Sequence, residues 1–199
     1  MILNAVEKTL MNNPVRATLQ RHYEAPILER LGGRVEGGRV LEIGCGRGVG
    51  TEIILSRFGA AHVDAFDLDV DMVERARRRL TGFGERVRLS RGDATAIVAE
   101  DSSYDAVFDF GIIHHVPAWR AAVSEVSRVL RPGGRFFFEE VTRHALARRA
   151  YRRFLDHPTE DRFSGGEFVA EVERSGLQVP RWTERFFGDF VFGVGFRTN

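Results

Sequence analysis

Short apolar runs alternate with amphipathic stretches through the middle of the chain. Residues 39–43, 62–67, 87–90, 104–110 and 135–139 are apolar-rich segments bounded by glycine or polar residues, which predicts strands. Between them, residues 51–57, 70–80 and 118–130 carry apolar positions at helical spacing and predict helices. Strand–helix alternation of this kind predicts βαβ units on a parallel sheet, hence an α/β fold. Two phenylalanine-rich runs, 182–187 and 190–196, are joined by Gly188-Asp189 and predict a closing hairpin with an antiparallel edge. Ser164 followed by Glu167 predicts a capping box opening a helix that ends near Gly176. Pro132-Gly133-Gly134 predicts a tight turn feeding a strand. Residues 1–38 read differently, as two helices with Asn13-Pro14 starting the second, and form a candidate cap over the rest.

A length of 199 residues suits one domain. Within it, 1–38 is the helical cap, 39–140 the core, and 141–199 a basic helix, the capping-box helix and the closing hairpin. A formal net charge of +1 supplies no global field for nucleic acid, and no basic strip is interleaved with aromatics, so a nucleic-acid partner is not expected. The single cysteine, Cys45, rules out an intramolecular disulfide and a thiolate-rich metal site, so no metal is expected and a reducing cytoplasm fits. The first residues include Asn4, Glu7 and Lys8 and lack the apolar core of a signal peptide. No apolar run approaches the roughly 20 residues that span a bilayer. Residues 142–155 place Arg143, Arg148, Arg149, Arg152 and Arg153 opposite an apolar face. The ordinary reading is a solvated helix packed on the sheet; the functional one is contact with an anionic substrate, an acidic partner or an anionic membrane surface.

The most informative stretch is Val40-Leu41-Glu42-Ile43-Gly44-Cys45-Gly46-Arg47-Gly48-Val49, where a strand runs through a glycine cluster into a helix. Glycines there permit positive φ and let backbone N–H groups approach a ligand. Nicotinamide-dinucleotide enzymes use the same device, but their fingerprint needs glycine at the sixth position, where Val49 stands. Glu42, two residues before the first glycine, disfavours a pyrophosphate and favours a cationic ligand. Asp67 ends the second strand, where such folds place the acceptor for ribose hydroxyls, and Leu68 can lie against a base. Asp93, after the third strand, can accept from an exocyclic amine. Each of these acids alone reads equally well as a cap or a solvated loop residue. Together they mark the carboxyl ends of three consecutive strands. Cys45 reads as a small packed side chain.

Residues 39–140 resemble the class I S-adenosylmethionine-dependent methyltransferases, in the branch of small UbiE-like enzymes. The matching pieces are the glycine loop, Ala65-Phe66-Asp67-Leu68-Asp69, Gly92-Asp93-Ala94, Tyr104-Asp105-Ala106-Val107 with Ile113-His114-His115-Val116, and Arg128-Val129-Leu130-Arg131-Pro132-Gly133-Gly134. The resemblance implies a Rossmann-like, doubly wound sheet of seven strands, mostly parallel with one antiparallel strand. It also implies S-adenosylmethionine as cofactor, held by Glu42, Gly44, Gly46, Asp67, Leu68, Asp93 and Ala94, to which Phe110 is added. Asp69 stands where the family often has serine, and Asp109-Phe110-Gly111 where many relatives carry small or amide residues.

Methyl transfer from a sulfonium needs positioning above all, and a general base only when the acceptor must lose a proton early. Asp109, His114, His115, Glu139 and Glu140 lie at the right sheet edge, and His115, His114 and Glu140 are the catalytic candidates. Alternation along the strand sends Glu139 and Glu140 to opposite faces. The expected reaction is methylation of a small-molecule acceptor. An apolar acceptor, lipid-like, quinone or phenolic, is suggested by Phe136-Phe137-Phe138, by Phe186-Phe187 and by a loose likeness of residues 184–197 to the end of quinone-methylating relatives. Those phenylalanines read equally as core. The alternatives are a cofactor-binding regulator without catalysis and a nicotinamide-dependent oxidoreductase.

Overall fold

The computed structural model describes residues 13–146 and 161–198. Seven strands form one sheet: β1 (Arg39–Ile43), β2 (His62–Asp67), β3 (Val87–Arg91), β4 (Tyr104–Phe110), β5 (Leu130–Val141), β6 (Leu177–Arg185) and β7 (Phe190–Arg197). Their order is β3-β2-β1-β4-β5-β7-β6. The first five are parallel, and β7 runs antiparallel to both β5 and β6. The one antiparallel strand therefore lies inside the sheet and not at its edge, where the hairpin reading expects it; β6, parallel to the first five strands, takes that edge.

The helices are α1 (Pro14–Leu19), α2 (Ala25–Gly32), α3 (Val49–Ser56), α4 (Val70–Leu80), α5 (Trp119–Val129), α6 (Arg143–Leu146) and α7 (Gly165–Arg174). Asn13 caps α1 as its sequence predicts, accepting from the Arg16 N–H at 2.8 Å. A π-helical turn, Gln20–Glu24, joins α1 to α2, with the Ala25 N–H bonded to the Gln20 carbonyl. Pro26 accounts for this widening: it has no N–H to give to residue 22, and its ring crowds that carbonyl. At α7 the predicted capping box is complete, with Ser164 and Glu167 bonded reciprocally.

Alternation along the strands makes two cores. Val40, Phe108, Phe137 and Val194 share one face with α2, α3 and α4; Leu41, Val107, Phe136 and Phe138 share the other with α5 and α7. Phe108 and Phe137 stack at 4.3 Å between centroids, and Phe58 meets both rings edge-on. Phe136, Phe137 and Phe138 are fully buried, so the run expected to border a pocket is core. Gly193 lies opposite Phe138, and a Cβ there would sit 2.2 Å from the ring.

Two local readings change. Pro132-Gly133-Gly134 does not precede β5 but lies within it as an irregularity: pairing passes from Tyr104↔Leu130 to Ala106↔Arg135, and the extra residues on β5 bulge out, with Gly133 at φ 76°. Strand β6 stops at Arg185, because Phe186 and Phe187 adopt φ of 54° and 60°, a left-handed backbone that leaves the sheet. Of the predicted basic helix, α6 is described, with the Arg143 N–H bonded to the Phe163 carbonyl at 2.7 Å. Arg148, Arg149, Arg152 and Arg153 lie outside the described residues, as does the segment preceding Asn13. Among the described residues, no helix is long and apolar enough to cross a membrane.

Truncating the centre of the aromatic stack tests this packing. Phe137→Ala is expected to cost about 3–5 kcal/mol of unfolding free energy by denaturant titration, and a loss below about 1 kcal/mol would contradict the arrangement.

Candidate active site

Sheet order reverses between β1 and β4, so the connections leaving these neighbours depart to opposite faces and open a crevice at their carboxyl ends. The loop after β1 lines it. Gly44, Gly46 and Gly48 have φ of 68°, 51° and 84°, values only glycine takes without strain. A Cβ on Gly44 would also strike Ile112 at 2.4 Å.

Glu42 is 2% exposed, and the Thr51 hydroxyl donates to it. Gly50 makes this placement possible, since a Cβ there would lie 2.0 Å from the carboxylate oxygen. Burial pushes the Glu42 carboxyl up to about 8, against the Thr51 hydrogen bond and with the help of Asp67 and Asp109. Asp67 accepts from the N–H groups of Gly46 at 2.8 Å and Asp69 at 2.9 Å, which ties the tip of β2 to the glycine loop. Asp93 accepts from the N–H and hydroxyl of Thr95, both at 2.8 Å, and these bonds hold its carboxyl below the usual range. Cys45 is buried, which pushes its thiol up and leaves it inert, as a packed side chain should be.

Two adjoining cavities occupy the crevice. The first, about 120 Å³, is lined by Glu42, Gly44, Gly46, Asp67, Leu68 and Phe110, and is roofed by Arg16, Ala17 and Gln20 of the N-terminal segment. The second, about 300 Å³, shares Gly44, Asp67, Leu68 and Ile112 with the first and adds Asp93, Ala94 and His115. Every residue of the expected cofactor set thus borders one cavity or the other.

The catalytic candidates separate. His115 lines the second cavity. His114 and Glu140 sit beneath the turn that carries it. Glu140 accepts from the N–H groups of Ile113 at 2.6 Å and His114 at 3.2 Å, and pairs with His114 Nδ1 at 2.6 Å. Asp109 accepts from the Ile112 N–H at 2.9 Å and is buried beside Glu140. Burial, and then the charge of Glu140, raise Asp109 well above the usual carboxylate range, while burial raises Glu140 to about 7. These groups build the 111–115 turn, and neither His114 nor Glu140 lines the two cavities. Glu139 points to the opposite face, as alternation predicts, where Arg16 pairs with it at 3.4 Å and also with Glu24. Burial, and next the charge of Glu139, push Glu24 up to about 9 despite Arg16.

Arg16, Gln20 and Gly50 were not among the candidates. The first two had a signal: Arg16, Gln20 and Glu24 recur every fourth residue and form one polar line on a helical segment. Gly50 had none, because its role depends on where Glu42 ends up.

A doubly wound sheet with an acidic, glycine-lined crevice at its switch point defines a Rossmann-like ligand-binding domain. Residues 40–134 match the family described as methyltransferase domain, which supports reading this core as a class I methyltransferase domain. The chain is 38% identical over 106 residues to a fatty-acid O-methyltransferase of Mycolicibacterium smegmatis, covering 53% of this chain and 38% of that protein. It is 36% identical over 124 residues to a demethylmenaquinone methyltransferase of Clavibacter sepedonicus, covering 61% of this chain and 49% of that protein. The match therefore spans about half or less of these relatives' length. A solved S-adenosylmethionine-dependent methyltransferase from Aquifex aeolicus shares the fold, with TM-score 0.74, 22% identity and 97% of each chain covered.

Two outcomes follow from the site. Asp67→Ala is expected to weaken binding of S-adenosylhomocysteine roughly ten- to a hundredfold by calorimetry, the worth of a lost charge-assisted pair, with Asp71→Ala changing it far less. Equal affinities would remove Asp67 from the site. The second concerns pH. Glu140, Glu42 and Glu24 are raised to about 7, 8 and 9, so the folded protein retains protons that the unfolded chain releases in the ordinary carboxylate range. Their stabilising contribution is complete below that range and is lost as pH rises through the raised values. The melting temperature of the ligand-free protein is expected to fall between about pH 6 and about pH 9, and a flat or rising profile would contradict these protonation states.

Proposed function

We propose that this protein transfers the methyl group of S-adenosylmethionine to an apolar small-molecule acceptor. The carrying observation is Glu42, a buried carboxylate at the floor of a glycine-lined cavity, kept there by the missing side chain of Gly50. S-adenosylmethionine carries an ammonium and a sulfonium, so the donor set fits it, whereas a pyrophosphate would meet like charge. Glu42 and the 44–48 loop would hold the amino-acid end, Asp67 the ribose, and Leu68, Asp93 and Ala94 the base. A sulfonium methyl is already activated for displacement; the chain's residues bind, orient and exclude water. Arg16, Ala17 and Gln20 form the roof that limits water, and His115 faces the same crevice.

The apolar character of the acceptor is supported by two features. The related proteins of Mycolicibacterium smegmatis and Clavibacter sepedonicus are named for a fatty acid and for demethylmenaquinone, both apolar molecules. Phe186 and Phe187 are 53% and 94% exposed beside a third cavity near the roof, an unusual use of large apolar side chains.

Titration calorimetry with S-adenosylmethionine, S-adenosylhomocysteine and NAD tests the donor. The first two are expected to bind and NAD to give no heat. Binding of NAD with no response to the other two would falsify the assignment.

A further inference from the structure

The third cavity, about 350 Å³, lies on the other side of the roof from the glycine loop. Its walls are Leu19, Tyr23, Phe186, Phe187, Phe190 and Phe192, and its charged lining consists of Glu24, Glu139 and Asp189. Asp189 is engaged by His144, Nδ1 to Oδ1 at 2.8 Å. Glu24 and Glu139 are 3% and 1% exposed, and both are held by Arg16. Arg16 lines the first cavity. This ion cluster is therefore the wall between the two spaces.

Sheet register brings them equally close. Glu139 pairs in register with Phe110 on one side and Phe192 on the other. Phe110 lines the first cavity and Phe192 the third. Neighbouring strands are about 4.8 Å apart, so Glu139 stands one strand from each.

Two further observations concern the occupant. First, the tip of the β6–β7 turn places Phe186 and Phe187 in left-handed backbone, with φ of 54° and 60°. Glycine or asparagine would take these positions with little strain, while bulky residues are strained there. Aromatic side chains are held over the cavity mouth against that strain. Second, two buried carboxyls share one guanidinium, so their oxygens have more accepting capacity than Arg16 satisfies. Such a wall favours a molecule that brings a hydrogen-bond donor.

We propose that this cavity takes an apolar acceptor carrying one hydroxyl, and that the Glu24–Glu139 pair binds that hydroxyl. The inference rests on the methyl-transfer reading above. Both carboxyls are fixed by Arg16, so they act as positioning residues for the hydroxyl at the cavity wall.

The test uses the neutral apolar dye N-phenyl-1-naphthylamine, read by fluorescence, on protein saturated with S-adenosylhomocysteine. The dye is displaced with 4-nonylphenol or with its methyl ether, 4-nonylanisole. The phenol is expected to displace it at roughly ten times lower concentration than the ether, the worth of one charge-assisted hydrogen bond. Glu139→Gln and Glu24→Gln, made separately so that one misfolded variant leaves the other, are expected to bring the two displacers within about threefold while dye binding persists. Leu19→Trp, which fills the cavity, is expected to weaken dye binding at least about tenfold and to leave S-adenosylhomocysteine affinity within about twofold by calorimetry. Dye that fails to bind, or binds Leu19→Trp as well as wild type, overturns the cavity. Equal displacement by phenol and ether in wild type, or a preference that survives both glutamine variants, overturns the role of the carboxyl pair. Loss of S-adenosylhomocysteine binding in the wild type, with dye and phenol behaving as expected, overturns the methyl-transfer reading instead.

Discussion

Everything in the crevice hangs on one buried carboxylate. Glu42 extends from the end of a central parallel strand into space with almost no access to water, a position that costs several kcal/mol unless hydrogen bonds or counter-charge compensate. Thr51 supplies one bond from the first turn of α3, and Gly50 supplies the room. Helix α3 can start where it does only because Gly48 turns the chain with a left-handed backbone. Strand end, glycine loop and helix start therefore form one unit. A cationic ligand would complete it by supplying the charge that the ligand-free protein replaces with a retained proton.

The same economy operates on the neighbouring strands. Asp67 ties the tip of β2 to the loop through the Gly46 N–H, so the carboxylate proposed to accept from a ribose also shapes the glycine loop. Glu140 and Asp109, buried side by side, together take three backbone N–H groups of residues 112–114 and present His115 to the crevice. Buried carboxyls here act as splints for loops that have no regular structure of their own. Residue His114, attractive as a base when read along the chain, is one of the groups being splinted.

The N-terminal segment is coupled to the sheet by charge as well as by apolar packing. The π-helical turn forced by Pro26 shifts the register between α1 and α2, so that Gln20 and Glu24 are both buried while α2 keeps Ala25, Ile27 and Leu28 in the core. Arg16 then spans from the roof of one cavity to the carboxyls of the next. The roof and the separating wall are thus parts of a single ion cluster.

Strand and helix positions in the centre of the chain were legible from periodicity, because burial on a parallel sheet and on amphipathic helices imposes patterns that residue types alone reveal. Glu42, Asp67 and Asp93 were legible for a related reason: spacing along a βαβ chain places strand ends at one edge whatever the side chains do. Residues whose role depends on what they meet were not legible. Gly50 reads as an ordinary helix residue until Glu42 lies against it, and Glu140 reads as a base until it is found beneath the 111–115 turn. Glu139 differs from Glu140 by one position, and only the sheet's pleat, with α1 on one face and α5 on the other, gave the first to a cavity wall and the second to a loop support. The chain's order of residues determined which groups reach the carboxyl edge. Contact across elements far apart in sequence decided which of them are exposed there, because burial and partner choice belong to the packed structure and leave no period in the chain.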